Sequence, residues 1–111
     1  MKTAIITGAG VGIGRATTHA LLESGYHVAL LGRRRETLEE TAAGHENALV
    51  LPCDVTDPSA VTTTFNQVYA TWGQLDVLFN NAGMSLPGKT IDEIAVEDWL
   101  AIVNVNLTGS F

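Results

Sequence analysis

The chain's first apolar run, "KTAIIT" at residues 2–7, leads straight into "TGAGVGIG", with glycines at Gly8, Gly10, Gly12 and Gly14, and then into residues at helical spacing. A strand, a glycine-rich turn and a helix in immediate succession constrain the fold more than any other feature here. In a sheet covered by helices, such a turn lies at the ligand crevice, where free amides and a helix N-terminus favour an anion. The common dinucleotide fingerprint G-x-G-x-x-G fits no frame, because Ile13 stands five residues after Gly8 and Arg15 five after Gly10. The spacing is instead G-x-x-x-G-x-G, preceded by Thr7. In this frame Gly8 turns the chain after the strand, Gly12 lets the backbone approach a pyrophosphate, and Gly14 lets the helix pack close to the sheet. Gly10 falls outside the frame and looks optional.

The alternation continues along the chain. The helix "GIGRATTHALLESG" carries Ile13, Ala16, Ala20 and Leu21 at helical spacing and stops at Gly25. "HVALLG" reads as a second strand, "RETLEETAA" as a helix ending before Gly44, and "ALVLPCD" as a third strand. Asp57 caps the next helix and Pro58 suits its first position; Gly73 stops it after Trp72. "LDVLF" is a fourth strand, "NNAG" a loop, and a last helix starts near Val96. Four strand–helix alternations predict an α/β fold with an open, doubly wound parallel sheet in the order 3-2-1-4. The last helix has no C-terminal cap, and strand four would be an apolar edge, so residues 1–111 read as the N-terminal part of one larger domain.

Composition narrows the partners. Charged residues make up 16% and the formal net charge is −6, which argues against nucleic acid or an acidic membrane surface. Cys53 is the single cysteine, so no disulfide framework or cysteine-rich metal site is expected. The apolar run before the glycines is too short for a signal peptide or a spanning helix, and a cytoplasmic location is the default expectation.

Four motifs in order resemble the short-chain dehydrogenase/reductase family: Thr7-Gly8 with Gly12-Ile13-Gly14, Asp54-Val55, Asn80-Asn81-Ala82-Gly83, and Asn106 in "VNLTG". The resemblance runs from Lys2 to Phe111. It implies a Rossmann-type NAD(P)-binding fold and hydride transfer between a nicotinamide cofactor and an alcohol or carbonyl substrate. It further implies that Asp54 accepts a hydrogen bond from the adenine amino group. Asn80 and Asn81 would tie strand four to its neighbours and line the cofactor. Ala82 and Gly83 would lie beside the nicotinamide ribose. Asn106 would perturb its helix and hold a water in a proton relay. A homodimer or homotetramer, formed partly through the fourth helix, is also implied.

The tip of strand two decides between cofactors. An NAD site usually places an acid there, but this strand ends Gly32-Arg33-Arg34-Arg35. Arginines at a helix N-terminus oppose the dipole, so an anion that compensates them is expected. A 2′-phosphate fits guanidinium geometry, which favours NADP(H) over NAD(H), with Arg33 first and Arg34 second. Pairing with Glu36, Glu39 and Glu40 is the plainer alternative. Residues 83–90, "GMSLPGKT", satisfy the P-loop pattern, but they neither follow a strand directly nor open into a long helix. The family's catalytic Ser and Tyr-x-x-x-Lys have no match: neither Tyr26 nor Tyr69 has Lys four residues on. The chain alone is therefore expected to be inactive, and a non-catalytic nucleotide-binding or self-associating fragment is the alternative.

Overall fold

The computed structural model describes residues 1–111. Strands β1 (Thr3–Thr7), β2 (His27–Gly32), β3 (Ala48–Pro52) and β4 (Val77–Phe79) form one sheet in the order β3-β2-β1-β4. Every pairing is parallel; Ile5 lies opposite Ala29 on one side and Leu78 on the other. Helices α1 (Gly12–Glu23), α2 (Arg35–Ala42) and α3 (Pro58–Trp72) connect the strands. A single 3₁₀ turn, Ile91–Glu93, precedes α4 (Val96–Val103), which runs into a π-helical turn, Asn104–Thr108.

Residue parity explains the continuous apolar strands. Ala4, Ile6, Val28 and Leu30 pack with Leu22 of α1 and with Leu38 and Ala42 of α2. Ile5, Ala29 and Leu31 point the other way, onto Leu51, Cys53 and Val68 of α3. Both faces are covered at β1 and β2, so no polar alternation is required there, whereas β4 leaves Val77 and Leu78 exposed. The chain steps outward through α1 and α2 on one face, then returns across the sheet through α3 on the other. Crossovers of one hand demand that change of face when the direction reverses. The switch lies between β1 and β4, where an open α/β sheet leaves its crevice.

Local signals at α3 work as expected: the Asp57 carboxylate accepts from the N–H groups of Ser59 (3.0 Å) and Ala60 (3.3 Å), Pro58 opens the helix, and Gly73 ends it. The face of α1 differs from the expected stripe. Ile13, Ala16 and Ala20 are exposed and Leu21 is half-buried, while Gly14, Thr18 and Leu22 face inward. Gly14 allows the closest approach, and Thr18 is buried without penalty because its hydroxyl donates to the Gly14 carbonyl (2.8 Å). Two strands are shorter than expected. β3 ends at Pro52 because Asp54 starts a turn, its carbonyl accepting from the Asp57 N–H (3.0 Å). β4 starts at Val77 because the Asp76 carboxylate already takes the Thr3 N–H (2.8 Å).

Candidate functional site

The glycine turn is built by packing from two sides. Gly8 and Gly12 have φ of +66° and +57°, a region that side chains disfavour. A Cβ at Gly14 would fall on the Gly8 carbonyl oxygen and 2.6 Å from Asn81 Nδ2, so Gly14 seats α1 on the loop itself. Gly10 is packed more closely than its place outside the frame suggests: its Cβ would lie 2.5 Å from Thr37 Oγ1, so a side chain there would have to displace the Thr37 hydroxyl at the start of α2. Thr37 in turn donates its hydroxyl to the Arg34 carbonyl (3.0 Å), linking the glycine turn to the arginine-bearing turn.

Thr7 and Asn81 brace this arrangement from below. The buried Thr7 Oγ1 accepts from the N–H groups of Asn81 (2.9 Å) and Ala82 (2.8 Å). Asn81 Nδ2 donates to the carbonyls of Thr7 (3.1 Å) and Gly8 (3.2 Å). The tie between β4 and the loop thus runs mainly through Asn81. Asn80 makes one long contact, Nδ2 to the Ser110 carbonyl at 3.4 Å.

A cleft of about 460 Å³ opens at the carboxyl ends of the strands. Of the residues expected from the sequence, it brings together Gly8, Arg33, Asp54, Val55, Ala82 and Gly83. Gly12 and Ile13, exposed at the start of α1, and the buried Gly14 are not among its lining. Thr7 and Asn80 line a neighbouring cleft of about 340 Å³ that also touches Val55. The N-cap of α1 is Val11, which offers no side-chain acceptor, and the first turn holds no acid. The opening amides of α1 are thus left without a side-chain cap, the arrangement an anion completes.

Charge on the cleft comes from Arg33 and Asp54. Arg34 is exposed and pairs with Glu36 (Nε to Oε1, 3.0 Å), and Arg35 reaches Glu39 at 3.7 Å. Arg33 has no such pair. Asp54 Oδ1 accepts both the N–H (2.9 Å) and the hydroxyl (2.7 Å) of Thr56, leaving Oδ2 without a protein partner. The Thr56 N–H, then its hydroxyl, hold the Asp54 carboxyl below the usual carboxylate range; burial opposes them, and the Arg33 charge, the smallest effect, adds to the lowering. The sign follows: a carboxyl whose folded value is depressed adds stability above its unfolded value, about 3.9, and loses it as pH falls through the folded value. Carboxyl-carbon NMR titration is expected to place the Asp54 midpoint below about 3.9; a midpoint at or above that value contradicts the turn geometry.

Asn106 sits in the π turn, which the Gly109 N–H closes onto the Asn104 carbonyl (2.8 Å). Its side chain clamps the backbone of Met84: Oδ1 accepts from the N–H (2.8 Å) and Nδ2 donates to the carbonyl (2.9 Å). Asn104, not Asn106, lines the cleft. Thr56 and Met84 also line it and escaped the sequence reading. The "DVT" sequence was a detectable turn signal for Thr56; nothing local announced Met84. Residues 83–90 form an irregular loop followed by a single 3₁₀ turn, Ile91–Glu93, rather than opening directly into the long helix of a phosphate-binding P-loop.

The family model described as short chain dehydrogenase matches residues 2–111, and the chain belongs to that family. An uncharacterized oxidoreductase of Staphylococcus aureus (strain USA300) is 37% identical over 111 residues, 98% of this chain and 48% of that protein. The crystal structure of NAD⁺-bound xylitol dehydrogenase superposes with a TM-score of 0.93 at 38% identity, covering 99% of this chain and 44% of the other. The closed form of serine dehydrogenase complexed with NADP⁺ gives a TM-score of 0.89 at 30% identity, covering 96% and 44%. The chain therefore spans about half the length of these relatives. No helix is long and apolar enough to cross a membrane.

Proposed function

We propose that the chain forms the dinucleotide-binding part of an NADP(H)-dependent alcohol dehydrogenase or carbonyl reductase. One observation carries the cofactor preference: Arg33 lies on the cleft directly after β2, outside any salt bridge, and no acid stands at the tip of that strand. The residues present fit a dinucleotide. The uncapped amides at Gly12 and Ile13 suit the pyrophosphate, with Gly8 and Gly14 shaping the turn around it. Asp54 Oδ2 suits the adenine amino group, and Val55 its ring edge. Arg33 suits the 2′-phosphate, and Arg34 can join it by leaving its exposed pair with Glu36. Asn80, Ala82 and Gly83 suit the nicotinamide ribose side, while Thr7 supports the turn from beneath.

The nicotinamide, when bound, supplies the hydride donor or acceptor for the substrate carbon. The chain's own contribution is binding, orientation and one relay group. The Asn106 side chain is committed to Met84, so its main-chain carbonyl, contacted by the Ser110 hydroxyl at 3.2 Å, is the group that would hold a relay water. No Tyr-x-x-x-Lys occurs in the sequence, so the proton donor belongs to the half of the family's length that this chain does not span. The second reading is a nucleotide-binding or self-associating fragment without catalysis. The intact mass of the cellular protein separates the two readings. In the longer form we place the protein in the cytoplasm as a homodimer or homotetramer, with exposed Trp99, Leu100 and Leu107 around α4 as contact residues.

Fluorescence titration tests the cofactor preference. Wild type is expected to bind NADPH more tightly than NADH. Arg33→Ala is expected to weaken NADPH binding about tenfold or more, the size of one charged hydrogen bond, and to change NADH binding by less than about twofold. Tighter NADH binding by wild type overturns the preference.

A further inference from the structure

Thr56 has no part in the reading above, yet it makes the tightest polar contact on the cleft. Its backbone N–H and its hydroxyl both donate to the same atom, Asp54 Oδ1, at 2.9 and 2.7 Å. Side-chain torsions that end in a carboxylate are broad, so an unheld Asp can offer either oxygen in many orientations. Two donors converging on one oxygen remove that freedom. We propose that Thr56 is a positioning residue for base selection: it pins Oδ1, reserves Oδ2 for the exocyclic amino group of a purine, and thereby makes the cleft prefer a 6-aminopurine dinucleotide to its 6-oxopurine counterpart.

The chemistry is that of donor and acceptor counts. An ionised carboxylate only accepts hydrogen bonds. A 6-aminopurine brings an N–H donor to Oδ2, whereas a 6-oxopurine brings a second acceptor to the same place. A 6-oxopurine does carry a donor at N1, one ring position away, and a mobile carboxylate could swing to meet it. The pinned carboxylate cannot, so rejection comes from the unpaired acceptors left facing each other. Of the cleft lining, Leu31, Gly32, Cys53 and Val55 provide no strong side-chain donor for a 6-oxo group, the Thr56 hydroxyl is already given to Oδ1, and Asn104 is carried by the π-helical turn after α4. Arg33, the other charged side chain on the cleft, is assigned to the phosphate.

The inference rests on the nucleotide-binding reading, and the test separates the two. The full chain is titrated with NADH and NADPH, and the tighter of the pair is compared with its hypoxanthine analogue. Wild type is expected to favour the adenine form about tenfold or more. Thr56→Val, which keeps the backbone N–H but loses the hydroxyl, is expected to cut that ratio to about a third or less. Thr56→Ser is expected to keep it. Asp54→Asn is the sharpest arm. The amide oxygen would take the Thr56 donors, the amide nitrogen would face the base, and the preference is expected to invert toward the 6-oxo form. An unchanged ratio in Thr56→Val, or no preference for the 6-oxo form in Asp54→Asn, overturns the role of Thr56 and leaves nucleotide binding standing. A wild type that binds neither dinucleotide overturns both.

Discussion

Gly14→Ala is expected to destabilise the fold by on the order of 3 kcal/mol, the upper end of what one added methyl costs in a packed site. Alanine normally gains up to ~1 kcal/mol over glycine inside a helix, and that gain does not offset the clash. The new Cβ would collide with backbone: it would fall on the Gly8 carbonyl oxygen, with the Gly8 carbonyl carbon 2.8 Å away. No flexible side chain can move aside. Relief requires lifting α1 from the loop, which also pulls the Gly8 carbonyl from Asn81. Gly12→Ala is the informative comparison. Nothing lies within 4 Å of a Cβ there, so its cost is the ~1–2 kcal/mol of a left-handed backbone alone. Urea denaturation should therefore rank Gly14→Ala well below Gly12→Ala, while Gly12→Ala should suffer more in dinucleotide binding than in stability. A Gly14→Ala protein within about 1 kcal/mol of wild type would mean that α1 does not rest on the loop as described.

The contrast between these two glycines shows how far the sequence could be read. Features set by a few neighbouring residues were legible. Asp57, Pro58 and Gly73 bounded α3 because capping and left-handed ends are local chemistry. The four strand–helix alternations announced a parallel sheet with helices on its faces, and with it the order 3-2-1-4. Features set by distant partners were not legible. Gly10 looked dispensable because the hydroxyl that a side chain there would have to displace belongs to Thr37 on α2. The inward stripe of α1 was misassigned because hydrophobicity singled out Ile13, Ala16 and Ala20. Contact with the glycine turn instead selected the smallest residue, Gly14, and the buried position one helical turn on holds a threonine that satisfies itself. Asn106 was located by its motif, yet its partner, the backbone of Met84, could only appear once the loop and the π turn were placed together. The arginine turn gave a mixed result. The alternative of acidic pairing describes Arg34 and Arg35, and leaves Arg33 alone on the cleft.

Asn81 is the position where a change of one atom type should have the second large effect. Its Nδ2 serves two carbonyl oxygens, those of Thr7 and Gly8, so both partners require a donor. Asn81→Asp keeps the shape and replaces that donor with an acceptor. Two hydrogen bonds are lost and a carboxylate faces two carbonyls, which is expected to cost about 2–4 kcal/mol near neutral pH. Asn81→Ala also loses both bonds but introduces no charge. The pH dependence separates the two variants. In Asn81→Asp the folded state favours the protonated carboxyl, which can donate to one of the carbonyls, so its folded pKa is raised above the unfolded value of about 3.9. A raised group binds more protons in the folded state, and its stabilising contribution is fully present below the unfolded value and lost as pH rises through the folded one. Relative to wild type at each pH, Asn81→Asp should therefore recover part of its deficit on acidification, whereas the deficit of Asn81→Ala stays flat. Urea midpoints measured for the three proteins between about pH 4 and 7 would decide this. Parallel curves for the two variants would show that the Asn81 amide does not hold the glycine turn to β4.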